Sequence, residues 1–284
     1  MNALCVQDLT KVYPGFTLDH VSFQLKEGHI AGLIGRNGAG KTTVLKGILR
    51  LISAQGKIEI FGKDITGAEN QVKEKIGYVG GGFRHYPLKT LRAVRKSFSR
   101  FYPQWNADKY VRYLRLFQLD ERKKVKELSE GMKVKFALAL ALSHNAKLLI
   151  MDEPTSGLDP ISREEFCDIV LSLVWEEGVS VLFSTHITSD LERIADDIIY
   201  LSQGKILAEC ALSELLNRYV LIRFKSAEQA KNAGAIGIKQ VKEGWEGLDF
   251  RQSPPSGTEI IRKNADLNDI MIHLEIAARD QKIC

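Results

Sequence analysis

Gly35-Arg36-Asn37-Gly38-Ala39-Gly40-Lys41-Thr42 is the stretch on which the reading of this chain turns. Its closely spaced glycines free the backbone to curl until successive amides point inward, and the Lys-Thr pair that follows supplies a cation and a hydroxyl. Upstream, His29 to Ile34 is a short apolar run of strand type. Downstream, Val44, Leu45, Ile48 and Leu49 recur at helical spacing between Thr42 and Leu51. Strand, glycine turn and helix in that order predict a phosphate cradle, with the helix directing the positive end of its dipole at the bound group. In such a cradle Lys41 neutralises the β- and γ-phosphates of a nucleotide and Thr42 ligates Mg²⁺.

A cradle that also does chemistry needs acids, and Leu148-Leu149-Ile150-Met151-Asp152-Glu153 supplies two at the end of a buried strand. Four apolar residues anchor the carboxylates at a sheet's carboxyl edge, where open α/β sheets bind ligands. Asp152 is expected to partner Mg²⁺ and Glu153 to act as the base for an attacking water.

Working outward, Leu4 to Leu9 and Leu18 to Leu25 read as strands about the turn former Pro14-Gly15, and Lys57 to Phe61 and Ile76 to Val79 as further strands. Leu88 to Phe117 is aromatic, basic and helical in pattern, broken by Pro103. Helices are expected from Met132 to Ser143 and Arg163 to Trp175, and a strand from Val179 to Ser184. Alternating strands and helices imply an α/β fold with a mostly parallel sheet covered on both faces. After Gly204 the character changes to short, glycine-punctuated elements, with a strand at Tyr219 to Phe224 and an amphipathic helix at Asp266 to Ala278 that sets Leu267, Ile270, Met271 and Leu274 on one face.

The 284 residues are 44% apolar, and the longest apolar runs fall far short of the roughly 18 residues of a membrane span. The amino terminus lacks the features of a secretory signal, which places the chain in the cytoplasm. Four scattered cysteines, Cys5, Cys167, Cys210 and Cys284, form no metal-type pair and read as reduced thiols. Net charge is +5, yet Arg84 to Lys126 carries 13 Lys and Arg against Asp108, Asp120 and Glu121 alone. A segment so basic can face anionic lipid or an acidic partner, or can be the solvated face of several helices.

Three further motifs join the cradle and the acidic strand. Leu128-Ser129-Glu130-Gly131-Met132 stands ahead of a helix, Ser156-Gly157-Leu158-Asp159 follows the acids, and Ser184-Thr185-His186 ends a strand. In this order they resemble the ABC ATPase family over roughly Leu4 to Leu207. The resemblance implies a P-loop NTPase of ABC type with an antiparallel β edge over residues 1–207, a helical subdomain at approximately 84–130, and a small α+β accessory domain at 208–284. It further implies ATP and Mg²⁺ as cofactors, held by Gly35, Asn37, Gly38, Ala39, Gly40, Lys41, Thr42 and Thr43, with Tyr13 stacked on adenine and Thr42 and Asp152 on the metal. Lys41, Glu153 and His186 become the catalytic set. Ser129, Gly131 and Asp159 are expected at the interface of a head-to-tail dimer, Ser129 and Gly131 on the γ-phosphate bound by the other subunit.

Two features depart from the family pattern. Gly80-Gly81-Gly82 stands where many members carry a glutamine that reaches metal and water, and Leu128 to Met132, which resembles the family's signature motif, has Glu130 for a usual glycine and Met132 for a usual glutamine. The latter leaves a heterodimer with a more typical cassette open beside a homodimer. The whole is similar to cassettes of bacterial exporters, working with an integral membrane permease at the inner face of the cell membrane, with no nucleic acid partner expected. A soluble ABC ATPase of a non-transport assembly, such as iron–sulfur cluster assembly, and a low-turnover nucleotide-dependent regulator are the alternatives.

Overall fold

The computed structural model describes residues 1–80, 86–254, 257 and 261–280, and it divides into two compact units, Met1–Glu209 and Cys210–Cys284. The division falls inside the strand Lys205–Ala211 that follows the Gly204 turn.

The first unit opens on β1 (Asn2–Tyr13) and β2 (Phe16–Lys26), an antiparallel hairpin about Pro14-Gly15. Along β2 Val21, Phe23 and Leu25 are buried while Ser22, Gln24 and Lys26 are exposed, the period-two pattern of a sheet with one face on a core. Next come β3 (Ile30–Ile34) and α1 (Lys41–Ile48), then β4 (Gln55–Ile60) and β5 (Lys63–Asp64), which complete an outer sheet of order β2-β1-β4-β5. The short α2 (Glu69–Lys73) leads into β6 (Ile76–Gly80). Helices α3 (Leu91–Phe98) and α4 (Ala107–Leu116) follow, then α5 (Glu130–Ser143), β7 (Leu148–Asp152), α6 (Pro160–Glu177), β8 (Ser180–Thr185), α7 (Thr188–Ile194), β9 (Asp197–Ser202) and β10 (Lys205–Ala211). The central sheet has order β10-β9-β3-β8-β7-β6, and β9, β3, β8, β7 and β6 run parallel.

Every residue of β3 and β8 is buried, as expected of parallel strands covered on both faces. One apolar cluster joins Leu4, Leu9 and Leu25 of the hairpin to Val44 and Leu45 of α1 and to Leu33, Ile150 and Leu182 of the central sheet. Each such side chain contributes about 1.5–3 kcal/mol of transfer free energy, so the hairpin, the helix behind the cradle and the sheet are held as one body. The helical stretch does break at Pro103: α3 ends in a 3₁₀ turn at Ser99–Phe101, and α4 starts afresh with Asn106 capping the Lys109 amide at 2.9 Å. Part of this basic segment is paired. Arg92 and Arg95 lie on Glu121, Arg122 on Asp120, and Lys109 and Arg112 on Glu177.

The second unit comprises α8 (Leu212–Arg218), β11 (Tyr219–Phe224), α9 (Ala227–Asn232), β12 (Ile236–Val241), β13 (Gly244–Phe250), β14 (Ile261–Asn264) and α10 (Leu267–Asp280). Its sheet is antiparallel in the order β12-β13-β11-β14. Helix α10 buries Leu267 and Ile270 as its spacing predicts, but Met271 and Leu274 are half-buried and His273 takes an interior place. His273 Nδ1 donates to the Gly237 carbonyl at 2.6 Å, and Gly237, at φ 62°, lets the strand approach so closely that a Cβ there would lie 1.8 Å from the His273 oxygen.

Candidate functional site

The register of the central sheet assembles the site. Ile34 of β3 pairs with Thr185 of β8, and Asp152 of β7 with Ser184, so the three strands end at one level. The next residues, Gly35, Glu153 and His186, therefore emerge side by side although they are far apart in sequence. Here they meet a cavity of about 390 Å³ lined by Phe16, Asn37, Gly38, Gly40, Lys41, Thr42, Thr43, Glu153, Ser156 and His186.

The cradle closes as its glycines require. Gly40 sits at φ 110° ahead of α1, and a Cβ there would meet the Phe16 ring at 2.7 Å. A Cβ on Gly35 would lie 2.2 Å from the Leu201 carbonyl, so the loop packs against β9 only without a side chain at that position. The Ala39 amide donates to Arg36 and the Ala39 carbonyl accepts from Gly204, which pins the turn at both sides. Lys41 is buried at 6% exposure, and its ammonium donates to the Gly35 carbonyl at 2.8 Å and lies 3.2 Å from Glu153 Oε1. A lysine so enclosed has few rotamers left and holds its charge at one point, between the loop and the acid.

Thr42 Oγ1 donates to Asp152 at 3.1 Å, and Ser184 Oγ to the same carboxylate at 3.4 Å. Burial raises the Asp152 carboxyl above its ordinary range, with Glu153 beside it adding to the rise and the two hydroxyls opposing it. A desolvated carboxylate beside a hydroxyl is an oxygen donor pair suited to a hard cation that keeps waters and phosphate oxygens as its other ligands. Thr42 and Asp152 thus fit Mg²⁺.

Glu153 has φ 50°, a left-handed conformation that costs a non-glycine residue about 1–2 kcal/mol. Its amide donates to the Ser184 carbonyl and its own carbonyl accepts from Ser156, so the neighbouring strand and turn impose the bend. The bend turns the Glu153 carboxylate to His186, whose Nδ1 lies 2.8 Å from Oε2. Against an ionised carboxylate Nδ1 must carry the proton, which leaves the other ring nitrogen for a ligand.

Some predicted residues lie elsewhere. Tyr13 does not line the cavity: the two-residue turn pairs it with Phe16, and it is Phe16 that packs on Gly40, while Tyr13 is half-buried with the Lys11 ammonium 5.3 Å over its ring. Phe16 was missed because spacing alone does not tell which aromatic of a hairpin meets the loop. Ser129 is exposed and caps α5, accepting from the Met132 amide at 3.2 Å, and Asp159 caps α6, accepting from Ile161 and Ser162, both at 3.1 Å. Ser129, Gly131 and Asp159 are not among the residues lining the cavity of a single chain. Of the glycine triplet, Gly80 ends β6 opposite Asp152, and Gly81 and Gly82 lie outside the described residues.

Comparison with known proteins gives the chain its family. Residues 18–156 match the family model described as ABC transporter. The bacitracin transport ATP-binding protein of Bacillus licheniformis is 34% identical over 230 residues, covering 79% of this chain and 75% of the relative. Among solved structures, an ATP-binding subunit of an ABC transporter is 28% identical with a TM-score of 0.67, covering 75% of this chain and 91% of its own. A dimeric ATP-binding cassette in a post-hydrolysis state with ADP and Pi is 26% identical with a TM-score of 0.65, covering 74% and 98%. The chain belongs to the ABC transporter family, as one of its ATP-binding, ATP-hydrolysing subunits.

Proposed function

We propose that this subunit binds Mg-ATP in the cavity above β3, β7 and β8, hydrolyses it in a head-to-tail dimer, and drives an integral membrane permease that exports its substrate. The observation that carries the reading is that Lys41, Glu153 and His186 meet in one cavity beside Thr42, which is itself hydrogen-bonded to Asp152.

Gly35, Asn37, Gly38, Ala39 and Gly40 curl around the β- and γ-phosphates, with the start of α1 aimed at them. Lys41 places its charge there, and Thr43 and Phe16 complete the walls. Thr42 and Asp152 hold Mg²⁺, which when bound neutralises charge on the phosphate oxygens. Glu153 orients the attacking water and takes its proton, while His186 is oriented by Glu153 and reaches the γ-phosphate through its free nitrogen. Ser129 and Gly131, at the start of α5, cover the γ-phosphate bound by the opposing subunit, and Asp159 stiffens the loop that crosses between them. ATP then holds the dimer closed and its hydrolysis releases it.

Beside the helical stretch, an apolar cleft of about 390 Å³ is lined by Leu49, Leu51, Ile76, Tyr78, Phe98 and Tyr102, with Gly80 and His144. We assign it to the permease, with the unpaired part of the basic excess facing anionic headgroups at the cytoplasmic membrane face. No described helix is long and apolar enough to cross a membrane, so a separate subunit provides the path. Export of an antibiotic or related lipophilic compound follows the bacitracin-transport relative.

The test is Glu153→Gln, tagged and expressed in the native cell. ATP binding is retained, turnover falls by about 10²–10⁴-fold, and a multi-span membrane protein copurifies from gently solubilised membranes. Undiminished turnover removes Glu153 as the base. Recovery of only soluble assembly factors removes the transporter reading of this particular cassette.

A further inference from the structure

We propose that Arg36 and Glu130 form a reciprocal ion pair between two copies of this chain, so that the cassette selects itself as its dimer partner. This rests on the head-to-tail reading above, and it explains the least expected residue of the signature. Glu130 stands between Ser129 and Gly131 and opens α5, the helix whose first turn covers the opposing subunit's phosphates in the proposed head-to-tail dimer. A carboxylate there competes with phosphate for the amides of the helix start and repels the triphosphate.

Its surroundings show how it is managed. Glu130 Oε1 accepts from Lys133 at 2.6 Å, one turn along the helix, which holds one of its two oxygens. Oε2 has no hydrogen-bond partner among the described residues, and the side chain is 44% exposed. A matching cation is present in the phosphate cradle, which the proposed dimer sets against the opposing signature. Arg36 is the second residue of the phosphate cradle, its carbonyl fastened by the Ala39 amide at 3.0 Å. Its side chain is exposed, and among the described residues its guanidinium has neither a hydrogen bond nor an ion pair. The backbone is thus anchored while the charge is left over.

In a two-fold dimer Glu130 of each copy meets Arg36 of the other, so one complementarity is used twice. An arginine fork suits the half-free carboxylate, and the pairing removes the repulsion from the nucleotide. A cassette with glycine in place of Glu130 leaves Arg36 without its partner, so the pair discriminates between copies and other cassettes.

The experiment is sedimentation velocity of the full chain in the Glu153→Gln background with Mg-ATP, with nucleotide affinity measured on the same samples by a fluorescent ATP analogue. Arg36→Glu and Glu130→Arg each weaken the dimer by about tenfold or more. An equal mixture of the two restores it to within about threefold of the parent, because each site of the mixed dimer then joins opposite charges. Should a reversed variant misfold, Arg36→Gln and Glu130→Gln in a double-mutant cycle show a coupling of at least about threefold. If the parent dimerises with ATP but the mixture is no tighter than its components and the cycle shows no coupling, the ion pair is wrong and the dimer reading stands. Loss of nucleotide binding in Arg36→Glu with no rescue on mixing assigns Arg36 to its own nucleotide and overturns the proposal. A parent without an ATP-dependent dimer overturns the head-to-tail reading and the pair together.

Discussion

Asp152 shows what a single site residue costs the fold. Because burial lifts its carboxyl pKa above the unfolded value, the folded state binds the proton more tightly, and stability is lost as pH rises through the folded pKa. At neutral pH the ionised group is therefore held against its preference. Asp152→Asn is expected to raise Tm at pH 7, with an advantage that shrinks as pH falls through the carboxyl's own titration, while Mg²⁺-dependent turnover disappears. Scanning calorimetry over pH checks the first and phosphate release the second. The aromatic wall gives another prediction. Phe16→Ala raises the ATP dissociation constant by about tenfold through loss of ring contact, and Tyr13→Ala changes it by less than about twofold, since Tyr13 stands outside the cavity lining. The reverse order, read with a fluorescent analogue, restores Tyr13. Lys41, Thr42, Asp152, Glu153 and His186 were legible in the sequence because their chemistry is tied to fixed spacing and to strand ends. Phe16 was not, because its contact with Gly40 is made across the hairpin and the loop.

Among the elements, α5 joins the signature at one end to a buried aromatic corner at the other. Its cap residue His144 stacks on Tyr102 at 3.9 Å and donates from Nδ1 to the Glu74 carbonyl at 3.2 Å. Burial pushes its pKa down from 6.5 to about 4, so the folded state favours the neutral ring. The corresponding stability is fully present above pH 6.5 and is lost as pH falls toward about 4, by on the order of 3 kcal/mol if the group acts alone. Urea midpoints measured between pH 7 and pH 4 should fall less steeply in His144→Phe than in the parent. Helical spacing announced α5, and Pro103 announced the break before α4, since both are local in the chain. That the α5 cap is an interior histidine is decided by Tyr102 and Glu74, which come from other elements. In α10 the same limit appears: spacing placed Leu267 and Ile270 inward, but Gly237 of β12 drew in His273 as well.

At the scale of the whole molecule, the chain comprises two units, the first built on two sheets and the second on one, each with its own apolar core. Calorimetry is expected to resolve two transitions, and saturating Mg-ATP should raise only the one belonging to Met1–Glu209, by about 2.7 kcal/mol at a hundred times the dissociation constant. A ligand shift in both transitions would show that the units unfold together. The sequence alone determined the fold class, the family, and most of the residues that converge on the cavity at the ends of β3, β7 and β8, because glycine turns, strand-end acids and helix spacing are local consequences of covalent and steric chemistry. Only the tertiary structure decided which aromatic meets the loop, that Glu153 is bent onto His186, and that Lys41 reaches both Gly35 and Glu153. Those contacts depend on the register of β3, β7 and β8, which is set by the packing of many buried side chains at once and is written in no single stretch of the chain.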